Sequence, residues 1–216
     1  MLKTLTLLFF SFIYLPSISY AVQISEKQGN IYADNEQGNV QQLTHSGKDS
    51  QPALSPDGKQ LVFVHEIENQ GTELWLMDIS GDNAHAIVLN HEDEDIKKNL
   101  TEINNPLFAL DGKAVYFQTA AWATSSAIHF IDLSSNKQHF ITDGNSLELV
   151  PSGKYKGYLI VSKHKYYKHK DGSYEDFWLV SPKGKEIKSL GEEQEQVNAF
   201  IRANTRCTIN CEKIKK

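Results

Sequence analysis

Short apolar runs broken by polar, glycine-bearing gaps recur along this chain. The clearest stretch is Gln51–Asp78, QPALSPDGKQLVFVHEIENQGTELWLMD. A turn at Ser55-Pro56-Asp57-Gly58 leads into an apolar run within Lys59–Glu66. Pro56 presets φ for a turn corner, and Gly58 accepts the left-handed conformation that closes it. A polar break at Glu68–Thr72 contains Gly71, and Glu73–Ile79 is a second apolar run. Runs of this length, rich in Leu, Val, Phe and Trp and bounded by turn residues, predict β-strands. Leu61, Val62, Phe63 and Val64 are consecutive apolar residues, as are Leu74–Met77. One wet face would show as strict alternation, so these strands belong to sheets covered on both sides. No segment shows a sustained helical period, and the chain reads as all-β.

The layout repeats. Pro106, Leu110-Asp111-Gly112-Lys113, Phe117 and Ile131-Asp132 match Pro52, Pro56-Asp57-Gly58-Lys59, Phe63 and Met77-Asp78. The Gly-to-Asp interval is 20 residues in both copies, 58 to 78 and 112 to 132. A fixed internal spacing of this kind is the signature of a repeat architecture. The units expected are 51–90, 106–142 and a looser 145–191, where Val150-Pro151-Ser152-Gly153-Lys154 stands at the turn. Residues 22–44 read as a half-unit, the outer pair of strands only. A closing strand is expected at 196–201, followed by a polar tail at 204–216.

The first 21 residues differ from the rest. Lys3 precedes the apolar run Leu5–Leu15, and Ser19-Tyr20-Ala21 presents small residues to a peptidase. This is the form of a signal peptide, and a largely apolar run of eleven residues falls short of the roughly 20 needed to span a bilayer. The expected location is the periplasm or outside the cell, with no stable membrane span after cleavage. The net charge is −5. Loss of Lys3 makes it more acidic, which argues against a nucleic-acid partner. Cys207 and Cys211 are the only cysteines. In an exported protein they form either a small-loop disulfide or two free thiols.

The motif Leu43-Thr44, Pro52, Ser55-Pro56-Asp57-Gly58-Lys59, Phe63 and Leu74-Trp75-Leu76-Met77-Asp78 resembles the β-propeller repeat of TolB-like proteins. The resemblance implies four-stranded blades around a channel, with binding loops on the end faces. At about 40–45 residues per blade the chain accommodates about four. The half-unit 22–44 and the strand at 196–201 would then pair to close the ring. The rival is an open arc completed by a second copy, which makes oligomerisation an expectation if the ring is open. The resemblance also implies envelope proteins as partners, of the Tol–Pal kind.

The chemistry-bearing residues point away from catalysis. Asp57 and Asp111 sit in turns that Asp stabilises, and Pro56, Gly58 and Gly112 serve the same turns. Asp34, Asp78 and Asp132 end strands at one repeated position, whereas an active site needs one asymmetric constellation. There is no Gly-x-Ser-x-Gly elbow. The eight histidines show no paired metal-site spacing. No catalytic residue, metal or cofactor is therefore expected.

The individual feature is an insertion in the third unit. Lys163, His164, Lys165, Tyr166, Tyr167, Lys168, His169 and Lys170 form a basic, aromatic stretch on an acidic protein. Lysine supplies charge and tyrosine supplies rigid contact area for an anionic partner. The function expected is a non-enzymatic interaction module of the envelope. The alternative is a small carbohydrate-binding or carbohydrate-active propeller with a site at the channel mouth.

Overall fold

A computed structural model describes residues 22–34 and 39–211, with side chains as far as Thr205. The predicted leader lies outside the described residues. So do the side chains of Cys207 and Cys211, and with them the proposed disulfide.

Among the described residues fifteen strands form four antiparallel meanders. The first holds β1 (Gln23–Lys27), β2 (Asn30–Asp34) and β3 (Val40–Gln42). The second holds β4 (Asp49–Leu54), β5 (Gln60–Ile67), β6 (Gly71–Asp78) and β7 (His85–Val88). The third holds β8 (Asn104–Phe108), β9 (Ala114–Trp122), β10 (Ser125–Asp132) and β11 (Lys137–Asp143). The fourth holds β12 (Ser146–Leu149), β13 (Leu159–Tyr166), β14 (Ser173–Val180) and β15 (Glu186–Gly191). Neighbours in sequence are neighbours in the sheet. This is a small all-β propeller of four blades.

The turn between the first two strands is built alike in the second and third blades. Gly58 and Gly112 have φ of 71° and 70°. Their N–H groups donate to Ser55 O and Ala109 O, each at 2.9 Å. The left-handed conformation is one that a side chain with a Cβ resists.

The doubly apolar strands divide their side chains between two interfaces. Leu61 and Phe63 of β5 pack with Ile31, Ala33 and Leu43 of the first blade. Val62, between them, packs with Leu100, Phe108 and Phe117 on the other side. In the fourth blade Leu159 and Val161 meet Tyr116 and Ile128 of the third. Leu61, Val62, Phe63, Leu159 and Val161 are each at most 2% exposed, and each burial contributes roughly 1.5–3 kcal/mol.

Two expectations at the ends need correction. The first blade has three strands, because the exposed, polar Gln23–Lys27 pairs with β2. The segment 196–201 is not a closing strand but part of a helix, α1 (Gln194–Cys211). Gln196 Oε1 accepts the N–H of Glu193 at 2.9 Å, the reciprocal half of a capping box. Val197, Phe200 and Ile201 then fall on one face and cover Val150, Ile160 and Leu179 of the fourth blade. Asn204 donates to Ser152 O, and Ser152 and Thr205 hydroxyls bond at 3.0 Å. Thus α1 caps the outer face of the last blade. Among the described residues no strand from the C-terminal end joins the first blade.

A polar chain crosses the inner strands. Gln51 and Asn105 precede Pro52 and Pro106 and both have positive φ, 52° and 49°. Each sits where the register of its inner strand shifts. A bulge re-aims a side chain and tolerates the missing proline N–H. Glu26 Oε2 accepts from Gln51 N at 2.9 Å, and Gln51 Oε1 accepts from Asn105 N at 2.6 Å. Asn105 Nδ2 donates to Gln118 Oε1 at 2.6 Å, and Gln118 Nε2 donates to Gly144 O at 3.0 Å. These bonds link the first three blades in order and end on the connector that leads into the fourth.

Candidate functional site

The inserted basic stretch is the end of the β13–β14 hairpin. Pairing runs from Leu159 opposite Val180 to Tyr166 opposite Ser173. Tyr167 N donates to Gly172 O at 3.2 Å to close the tip. Tyr167 stacks on Tyr174 with centroids 4.8 Å apart, and Lys170 Nζ lies 3.8 Å from the Tyr167 ring centre. The tip is thereby stiffened by its own aromatic rings. Tyr166 is 67% exposed. Lys168, His169, Lys170 and Asp171 are exposed beside it.

The eight residues do not act as one surface. Lys163 is only 2% exposed and points inward. Its ammonium donates to Thr142 Oγ1 at 2.9 Å and Asp143 Oδ1 at 2.8 Å, and pairs with Glu186 Oε1 at 2.7 Å. All three ammonium protons are satisfied, and β13 is tied to β11 of the neighbouring blade. Burial pushes Asp143 up, but the Lys163 bond and charge outweigh it and hold the carboxyl below its ordinary value. Lys163 is therefore corrected from a contact residue to an interior one. His164 pairs with Glu175 at 3.0 Å, and Lys165 lies 5.9 Å from the Trp178 ring centre. Tyr166, Tyr167, Lys168, His169 and Lys170 remain as the presented surface.

The turn residues serve the backbone. Asp57 Oδ1 accepts from Ser55 Oγ at 2.7 Å and from Lys59 N at 3.1 Å. Asp111 Oδ1 accepts from Lys113 N at 3.0 Å. Asp132 Oδ1 accepts from the N–H and hydroxyl groups of Ser134 and Ser135. Those bonds, with Ser134 Oγ foremost, bring its pKa down to about 2.

One constellation escaped sequence reasoning. Ser46 Oγ donates to Asp49 Oδ2 at 2.6 Å, and Asp49 Oδ1 meets His65 Nδ1 at 2.6 Å. Ser, Asp and His are the residues of an acyl-transfer triad, but there the serine bonds to the imidazole. Here the serine and histidine share the carboxylate instead, so neither activates the other. The hydrogen-bonded set pins the loop before β4 to β5. Their spacing carries no known local signature. His129 is buried against Phe117 and Phe140, 3.0 Å from Thr119 Oγ1. Burial lowers its pKa to about 4. Among the described residues no three His, Cys, Asp or Glu side chains gather as a metal-binding group.

No family model matches the sequence, and no curated protein matches it. Solved structures do. The chain superposes on a protein described as TolB from Agrobacterium tumefaciens with a TM-score of 0.60 and 13% identity, over 80% of this chain and 58% of that one. Dipeptidyl peptidase 4 of Porphyromonas gingivalis gives 0.56 and 12%, over 81% and 32%. The β-propeller domain of the Trilobed protease from Pyrococcus furiosus, described as having an open velcro topology, gives 0.54 and 15%, over 80% and 53%. The chain thus spans less than two thirds of each. At these identities the likeness is one of fold, and the fold is that of a TolB-like propeller.

Proposed function

We propose that this protein is an exported, non-enzymatic propeller that captures an acidic protein of the cell envelope through the β13–β14 hairpin. The observation that carries it is the exposed tip. Tyr166 is 67% exposed beside Lys168 and Lys170, and the Tyr167–Tyr174 stack presents them on a rigid arm. Exposed aromatic area next to cations suits a partner surface rich in carboxylates. The TolB-like fold supports an envelope partner. The leader-like residues 1–21 support export, and among the described residues no helix is long and apolar enough to cross a membrane.

Export is tested by the mass of the mature chain, which should begin at Val22 in a periplasmic or secreted fraction. Capture is tested by pull-down from envelope extract. Tyr166→Ala combined with Lys168→Glu and Lys170→Glu should abolish recovery of a specific protein while leaving the circular dichroism spectrum unchanged. Equal recovery by variant and native protein would overturn the proposal.

A further inference from the structure

The first blade is one strand short on its inner side. By register β1 is its second strand: Ile24 lies opposite Ala33, as Val62 lies opposite Leu76 and Tyr116 opposite Phe130. In the second and third blades an inner strand pairs with that element and sets Ala53 opposite Val62 and Leu107 opposite Tyr116. Among the described residues no strand pairs with β1 on that side. Val62 is fully buried and Tyr116 is 2% exposed, whereas Ile24 is only partly buried.

The backbone of β1 is turned toward the open side. Ile31 O accepts from Leu43 N at 2.8 Å, so Ile31 faces β3. Opposite residues of an antiparallel ladder alternate between bonded and unbonded pairs. Glu26, opposite Ile31, and Ile24, opposite Ala33, therefore direct their N–H and C=O groups away from β2. In β5 the matching edge is used: Glu66 N donates to Lys48 O at 2.9 Å, and Ser55 N to Gln60 O at 2.8 Å. Among the described residues the N–H and C=O groups of Ile24 and Glu26 have no such partner.

Exposed sheet edges are ordinarily blunted by proline, bulges or brevity. Pro52 and Pro106 stand on β4 and β8 beside register shifts, and shifts also mark the pairings of β7, β11 and β15. β3 and β12 have only three and four residues. β1 pairs along five residues with no shift and holds no proline.

The side chains around the slot indicate what fills it. Asn105 N donates to Gln51 Oε1, but Gln51 N donates to Glu26 Oε2, so Glu26 takes the place of a glutamine on an inner strand. Lys27 stands at the position of His65, whose inner-strand partner is Asp49. Beyond the turn after β1 opens a crevice of about 420 Å³, lined by Gly29, Lys48, Glu66 and Glu102 among others. Lys48 is paired with Glu68, and the Glu66 and Glu102 carboxylates have no ion-pair partner among the described residues. An inner strand runs antiparallel to β1, so its N-terminal end meets this acidic crevice.

We infer that the open edge of β1 receives an extended segment of a partner protein as the fourth strand of the first blade. The segment begins with a basic residue beside Glu66 and Glu102 and follows with an acidic residue opposite Lys27. It continues through Gln-Pro to an apolar residue opposite Ile24. In strand addition of this kind main-chain bonds give affinity and alternate side chains give specificity. The added strand extends the core already shared by the first two blades, to which Ile24 and Leu54 belong. The hairpin surface takes no part in it.

The probe is an amidated peptide copying residues 48–55, KDSQPALS, titrated into the mature chain and followed by amide NMR shifts. Saturable binding is expected, with shifts centred on Ile24 and Glu26. Leu-Phe in place of Ala-Leu in the peptide, as at Leu107 and Phe108, should tighten it about threefold. N-methylation at the Ala53 position of the peptide removes a ladder donor and should weaken it about tenfold, with the protein untouched. Lys27→Glu should weaken it about threefold, and exchanging the peptide's aspartate for lysine should restore it. Tyr166→Ala should leave it unchanged, so failure here is distinct from failure of hairpin capture. No saturation by about 10 mM, equal binding of the N-methylated peptide, or shifts away from β1 would overturn the inference. So would a dimer, seen by light scattering, that the peptide does not dissociate.

Discussion

Gln51 Oε1 accepts a hydrogen bond from Asn105 N at 2.6 Å, and the two residues are 54 positions apart. That is the repeat period, so one blade is bonded to its own counterpart in the next. Both residues hold positive φ ahead of a proline, which places the glutamine amide across the gap. Gln51→Ala removes the acceptor and leaves Asn105 N to water. The expected loss is about 1 kcal/mol, read as a lower urea midpoint with an unchanged slope. No change in midpoint would show that the link contributes nothing.

Lys163 is the stronger tie between blades. Its ammonium is buried, while its partners Asp143 and Glu186 are each 44% exposed. Breaking a buried pair costs about 3–5 kcal/mol, and solvent at the carboxylates reduces that. Lys163→Ala is expected to destabilise by about 2–3 kcal/mol in urea unfolding. Lys163→Met, which fills the space, should recover part of the loss. Hairpin capture should survive Lys163→Met, because the tip does not use this residue.

His129 makes stability depend on pH. Its folded pKa is lowered to about 4 from 6.5 by burial. The unfolded chain therefore takes up a proton first as pH falls. The stability tied to the neutral ring is full above pH 6.5 and is lost as pH falls to about 4. A gap of that size corresponds to about 3 kcal/mol. His129→Gln should flatten the decline between pH 6.5 and 4. Below that window Asp143 and Asp132, both held below the ordinary carboxylate value, add a further loss.

The helix cap is expected to matter as much as a strand. Val197 is fully buried against Val150, Ile160 and Leu179. Val197→Ala should cost about 2 kcal/mol, and pairing it with Phe200→Ala should cost more. Dye binding to the uncovered face of the fourth blade would report the same event. An unchanged unfolding midpoint would mean that the helix is dispensable.

Much of the fold was legible because its turns are chemically marked. Gly58 and Gly112 announce their conformation, and the 20-residue interval to Asp78 and Asp132 fixes the strands between. The ends were harder. Gln23–Lys27 is an exposed strand with no alternation to betray it. In α1 only Val197, Phe200 and Ile201 mark the apolar face, within a run dominated by Glu, Gln and Asn. The Glu193–Gln196 cap was the readable sign. The hairpin stretch was visible as composition, but nothing local distinguishes Lys163 from Lys165. That difference is made by Asp143 and Glu186, 20 and 23 residues away.

The most direct measurement is site-specific photo-crosslinking in intact cells. A photoreactive phenylalanine is placed at Tyr166 on the tip or, as a control, at Val40, which is 61% exposed on the first blade. Capture by the tip predicts one discrete protein adduct from position 166, lost when Lys168 and Lys170 are reversed in charge, and none from position 40. No adduct at 166, or the same adducts from both positions, would contradict it.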